Sequence, residues 1–199
     1  MSKLAELEFT GNFDQGFTVN LTIYENDQLN ATREVGKSGN LPASNLDQLD
    51  EIWSNVYQTW FDIAYKNAGF ALKKREAIVN ISVDENQLKL DKHNAYQTYL
   101  NAENALLSAF NNWLNSPEFA IIKATLQQHF NPNDANRILI KSDNFRLKRL
   151  PWQKWDLLAT YILTEIGLSS PNFRRVNVFY NNKNKVIILV ILGKDANIQ

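Results

Sequence analysis

The sequence predicts an α+β protein in which antiparallel strands, a helical region and the opening strands and helix of an α/β segment follow one another along the chain. Three observations carry that expectation. Apolar residues recur at every second position between Leu7 and Val35, at steps of three and four between Leu46 and Ile63, and without interruption from Val186 to Leu192. A period of two belongs to half-buried strands, a period near 3.6 to an amphipathic helix, and an unbroken apolar run to a strand covered on both faces. The pattern changes divide the chain into a strand unit over 1–40, a helical region over 41–130 and a partial α/β segment over 131–199.

In the first stretch Phe17, Val19, Leu21 and Ile23 point one way and Thr18, Asn20 and Thr22 the other. Gly11 and Gly16 bracket Asn12-Phe13-Asp14-Gln15, which reads as a turn joining a strand over Leu7–Thr10 to one over Phe17–Tyr24. Asn26-Asp27 supplies the next turn, towards a third strand near Ala31–Val35, and Lys37–Pro42 reads as a linker.

Leu46, Leu49, Trp53, Val56, Trp60 and Ile63 form one helical stripe, with Asp47, Asp50 and Glu51 in the first turns, where carboxylates suit the helix dipole. A second stripe, Leu100, Leu107, Phe110 and Leu114 flanked by Tyr96, Tyr99, Leu106 and Trp113, predicts a helix over Lys92–Asn115. Ser116-Pro117-Glu118 opens a short third helix whose buried face is Phe119, Ile122, Leu126 and Phe130. The three are expected to pack as an antiparallel bundle. Between the long helices, Ala71–Leu90 fits either a strand or an irregular connection. In the last stretch Arg137–Lys141 reads as a short strand and Pro151–Leu163 as a helix. A sheet-centre strand at Val186–Leu192 needs neighbours, yet only seven residues follow it, so its partners are expected in a further segment or on another chain.

Composition narrows the function classes. With 199 residues and 44% hydrophobic content the chain can bury a core. Lys+Arg and Asp+Glu both number 21, so no net field draws it to nucleic acid or anionic lipid. The opening Met-Ser-Lys-Leu-Ala-Glu-Leu-Glu carries acids where a secretory signal needs an apolar core, and no apolar run approaches the ~20 residues of a membrane span. The expected location is the cytoplasm, with no membrane partner. The sequence has no cysteine, which removes disulfides, thiolate nucleophiles and most structural zinc sites. No glycine-rich phosphate loop occurs, and His93 and His129 stand in no metal-ligand spacing. No cofactor or metal and no catalytic residue is therefore expected.

Four segments carry a family resemblance: Leu7–Val19, Trp113-Leu114-Asn115-Ser116-Pro117-Glu118-Phe119, Arg149-Leu150-Pro151-Trp152-Gln153-Lys154-Trp155-Asp156, and Lys185–Gly193. Together they resemble the front part of cyanobacterial-type CHAT-domain proteins, relatives of caspases and separases, over nearly the whole chain. In that family the catalytic His and Cys lie downstream of the apolar strand, and nothing here matches them. The resemblance implies a non-catalytic regulatory or scaffolding region, often in stress, defence or cell-death signalling, that docks on or controls a proteolytic half. Its implied partner is a caspase-like catalytic segment, on the same or a separate polypeptide, or another copy of itself. A stand-alone interaction domain is the alternative.

The structural and interface candidates are Leu150, Pro151, Trp152 and Trp155 in the Leu-Pro-Trp segment and Ile188 and Val190 in the apolar run. Bases interleave with aromatics from Phe145 to Trp155, a pattern that can hold single-stranded nucleic acid by stacking and phosphate contact. The balanced charge and the core-like spacing of Leu147, Leu150, Trp152 and Trp155 favour a packed corner instead. For Trp53 and Trp60, on the helical stripe, core packing outweighs a ligand cage.

Overall fold

The computed structural model describes residues 2–25, 32–66 and 85–171. Within them the fold is mixed α+β. Strands β1 (Leu4–Asn12), β2 (Gly16–Tyr24) and β3 (Arg33–Leu41) precede helices α1 (Leu46–Phe61), α2 (Glu85–Leu114) and α3 (Ala120–His129), then β4 (Arg137–Lys141), the short α4 (Phe145–Arg149) and β5 (Glu165–Ser169). One sheet takes all five strands in the order β3-β2-β1-β4-β5. The first three pair antiparallel, and β4 joins β1 in parallel, followed by β5 parallel to β4. The strand unit and the opening strand of the last stretch thus share one sheet.

Register puts Ala5, Leu7 and Phe9 of β1 beside Ile23, Leu21 and Val19 of β2, with Ile138 and Ile140 of β4 on the other flank. All eight are buried, and the helices pack on this face. The opposite face carries Glu6, Glu8, Thr18, Asn20 and Thr22, and Lys141 reaches across it to Glu6 at 3.3 Å. The alternation read from the sequence is therefore a core face and a polar face. At the first turn Gly11 (φ 133°) and Gly16 (φ 89°) adopt backbone conformations that L side chains resist, and a Cβ on either would collide with neighbouring backbone.

Three expectations need correction. Residues 37–41, read as linker, complete β3, because β2 pairs with it as far as Phe17↔Leu41 and Leu41 is buried. Its composition reflects an edge strand, in which small and charged residues are tolerated. Gly39 also leaves room for Ile122, whose Cγ1 lies 2.8 Å from where a Cβ would stand, so α3 packs on β3 rather than completing a helical bundle. The expected helix over Pro151–Leu163 is a chain of tight turns, with 3₁₀ segments at Trp152–Lys154 and Asp156–Ala159. A separation of three residues on that tighter winding lets Trp152 and Trp155 both face the core. Strand β5 is an element the sequence reading missed.

Helix α2 begins at Glu85, seven residues before the expected start, and α1 passes into a short π-helical turn over Asp62–Lys66. Among the described residues no helix is long and apolar enough to cross a membrane.

Candidate functional site: an aromatic arm and the corner at its root

The two long helices divide the molecule's packing unevenly. Leu106, Phe110, Trp113 and Leu114 at the end of α2 are buried, and the Trp113 indole N–H donates to the Pro42 carbonyl at 2.8 Å. Upstream the character changes. Among the described residues none between Glu51 and Ala105 is buried. At 1.5 Å per residue, Glu85–Ala105 is about 30 Å of helix beyond the core, supported laterally by α1. The pair forms an arm.

Its seam is aromatic. Trp53, Tyr57 and Trp60 lie at helical spacing on α1, and Tyr96 and Tyr99 do the same on α2. Trp60 stacks on Tyr99 with ring centroids 5.3 Å apart and planes 20° from parallel. It also meets Tyr96 at 5.9 Å and Tyr57 at 5.8 Å, while Trp53 stacks on Tyr57 at 5.9 Å. The Tyr99 hydroxyl donates to Glu103 at 3.2 Å, and partial burial, reinforced by the Glu103 charge, raises its pKa. Ile52, Tyr57, Phe61, Leu90 and Tyr96 turn large apolar surface outward; Ile52 and Leu90 are about half exposed, at 52% and 51%. Trp60 therefore packs within the seam as a half-buried side chain, while Trp53, also half-buried, joins the seam to the main core, against which it packs.

The root of the arm meets the Leu-Pro-Trp corner. Asn144 caps α4 by accepting from the Leu147 N–H at 3.0 Å, and α4 then aims Arg146 and Arg149 at the first turns of α1. Arg146 donates to Asp47 at 2.7 Å, and Arg149 lies 3.2 Å from Asp50 and donates to Ser54 Oγ at 2.9 Å. Asp50 is only 4% exposed, and burial raises its pKa against the opposing pull of Arg149 and Arg146. Asp47 and Asp50 thus do more than complement a helix dipole: they anchor the corner.

Leu150, Trp152 and Trp155 are buried, and Pro151 is partly covered. Trp152 packs between Phe9 (5.4 Å) and Phe110 (5.3 Å), and its N–H donates to the Leu147 carbonyl at 2.9 Å. Trp155 lies against Phe119 at 6.1 Å, with its indole N–H unpartnered among the described residues. Four of the sequence candidates therefore meet in one packed corner. Ile188 and Val190, with the rest of Val186–Leu192, lie outside the described residues, as do residues 71–84 and the Asn26-Asp27 turn.

A second polar cluster fixes the far side of the corner. Asp156 accepts from Asn115 at 2.7 Å and from Lys123 at 3.0 Å. Burial pushes its carboxyl up, but those donations and the Lys123 charge outweigh it and hold the pKa below the ordinary value. His129 lies 3.4 Å from Glu34, which Lys3 also holds at 2.6 Å; His93 is exposed on α2. Among the described residues no three His, Asp or Glu side chains gather as a metal cluster would.

The helical stripe assigns Trp53 and Trp60 alike to the core, and only Trp53 packs against it, because periodicity reports which residues share a face, not what that face meets. One signal was available: tyrosines dominate the α2 side of the seam, and a tyrosine hydroxyl favours a site with water at one end. No family model matches the chain, and no curated protein matches it.

Proposed function

We propose that this chain is a non-catalytic regulatory and scaffolding region that docks on a caspase-like catalytic segment of CHAT type and controls it. The observation that carries the reading is the arm: an aromatic helical pair with no buried residue among those described from Glu51 to Ala105, anchored by Arg146 and Arg149 to the packed corner. Rigid aromatic side chains held half-exposed provide large contact area at low entropic cost, the composition that interface hot spots favour. The ion pairs at its root give a path by which a load on the arm reaches the sheet. The sequence supplies no thiolate of its own, so the peptidase chemistry of the resembled family would belong to the partner.

The test is calorimetric titration of a purified CHAT-type catalytic segment from the same genome with this chain, alongside peptide turnover by that segment. Binding at micromolar or tighter affinity, with a change in turnover that the triple substitution Tyr57→Ser, Phe61→Ser, Tyr96→Ser abolishes, is the expected result. No heat and no change in turnover at tens of micromolar would overturn it. Arm-dependent binding to some other protein, with the catalytic segment ignored, would favour the stand-alone interaction module.

A further inference from the structure

The joint between the arm and the sheet holds one buried charge. Of the four side chains in the clamp, Arg146 and Arg149 are 58% and 44% exposed and Asp47 is 15%, but Asp50 keeps only 5% of its side chain in contact with solvent. One turn earlier on α1 Leu46 is fully buried, and from Glu51 to Phe61 no residue is. Asp50 therefore marks the turn at which α1 leaves the core and becomes the arm.

A carboxylate in that position is poorly compensated. Among the described residues its ion contact is Arg149 at 3.2 Å, and that guanidinium also donates to Ser54 Oγ at 2.9 Å, lies 5.9 Å from the centre of the Phe145 ring and faces water. Arg146 is engaged with Asp47 at 2.7 Å. On α1 itself Asp47 and Glu51 repel a negative charge at Asp50, while Asp14, on the hairpin turn, acts on Arg146. Helix α2 contributes Tyr99 and Glu103, bonded to each other, and the exposed His93. Desolvation and two like charges thus oppose a guanidinium that is shared and half in water, and the balance pushes the Asp50 carboxyl up.

We propose that this joint is an acid-tightened latch: a proton on Asp50 seals α1 against α4, and its loss loosens the arm from the corner. When the joint opens, Asp50 meets water and titrates as an ordinary aspartate, so the seated arm binds the proton more tightly than the loosened one. Linkage then favours seating increasingly as pH falls through the range just above the ordinary 3.8. A plain salt bridge would do the reverse, because protonating its carboxylate cancels the attraction to Arg149. The latch concerns how the arm is attached and is independent of the partner proposed for it.

Amide exchange resolved by NMR on the full 199-residue chain between pH 6 and 4.5, corrected for the intrinsic pH dependence of exchange, tests it. Protection at Trp53–Trp60 is expected to rise at least threefold as pH falls, while the Leu7 amide in β1 changes less. Asp50→Asn, neutral and of the same size, should hold that protection high and level, whereas Asp47→Asn should keep the rise. His93 also titrates in this window, and the rise should survive His93→Gln. Protection that falls or stays level on acidification of the unsubstituted chain would overturn the latch. An equal change at Leu7 would overturn it too, since Asp50 would then act on global stability alone. The carbon-13 shift of the Asp50 carboxyl reads the same question without a variant: a midpoint at or below the ordinary 3.8 sinks the proposal even if Asp50→Asn fails to fold.

Discussion

Trp60→Ala separates the arm from the core. In the sequence alone Trp60 reads as a core residue, whose truncation costs about 3–5 kcal/mol of global stability. In the structure it is half-buried, and its aromatic contacts include the Tyr99 stack at 5.3 Å and tilted contacts with Tyr96 and Tyr57. Half the burial term plus an aromatic pair worth about 0.5–1.5 kcal/mol gives about 2 kcal/mol. That loss should stay local, because no described residue from Glu51 to Ala105 is part of the buried core. Amides of α2 from Leu90 to Tyr99 should then exchange roughly 30-fold faster, at 1.36 kcal/mol per tenfold, while those of Leu106–Leu114 hardly change. Phe110→Ala is the comparison: fully buried and edge-on to Trp152 at 5.3 Å, it should cost about 3–5 kcal/mol globally and lower the melting temperature by on the order of 10 °C. Equal melting-temperature losses for the two variants, or unchanged exchange along the arm in Trp60→Ala, would refute the division.

Trp152→Phe should cost less than Trp152→Ala in urea unfolding, the alanine variant losing about 3–5 kcal/mol and also leaving the Leu147 carbonyl without its donor. Asp50 and Asp156 should act on stability with opposite signs. The raised pKa of Asp50 means the folded state binds its proton more tightly, so Asp50 favours folding increasingly as pH falls through the range just above its ordinary 3.8, and Asp50→Asn should remove that component. The lowered pKa of Asp156 contributes stability above that ordinary value, lost as pH falls through the folded pKa. Because Asp156 is 41% exposed, Asp156→Asn should cost under about 1 kcal/mol at pH 7 by chemical denaturation. Arg146 and Arg149 are engaged with Asp47 and Asp50, so single-stranded DNA should bind no tighter than tens of micromolar at physiological salt by fluorescence anisotropy; submicromolar binding lost in the Arg146, Lys148, Arg149 and Lys154 alanine variant would contradict the packed corner.

The sequence made some elements plain and hid others for physical reasons. The β1 to β2 hairpin and β4 were legible because one-sided burial enforces strict alternation, and the main run of α2 because Phe110 and Leu114 must meet a core. β3 was obscure because an edge strand can be built from Lys37, Ser38, Gly39 and Asn40 when its partner supplies the ladder. β5 was obscure because Glu165-Ile166-Gly167-Leu168-Ser169 is short and its outer side is unmatched among the described residues. The corner candidates Leu150, Trp152 and Trp155 were identifiable as packed residues, but the 3₁₀ winding that packs them was not, since a spacing of three suits either helix. The clamp between α4 and α1 joins residues about one hundred positions apart, and no local pattern announces such a pair.

The order of the sheet also governs how the chain is made. β1 lies at its centre, yet its parallel neighbour β4 begins 133 residues later, at Arg137 against Leu4. During synthesis at about 5–20 residues per second, the β1 to β2 hairpin is complete while the other edge of β1 waits about 6–25 s for its partner to be translated. The strand behind that open edge carries Leu4, Ala5, Leu7 and Phe9, all buried in the finished fold. The nascent chain thus offers a sticky template before it can close it. Slowing translation between α1 and β4 should lengthen that interval and lower soluble yield, even though no residue of the mature protein has changed.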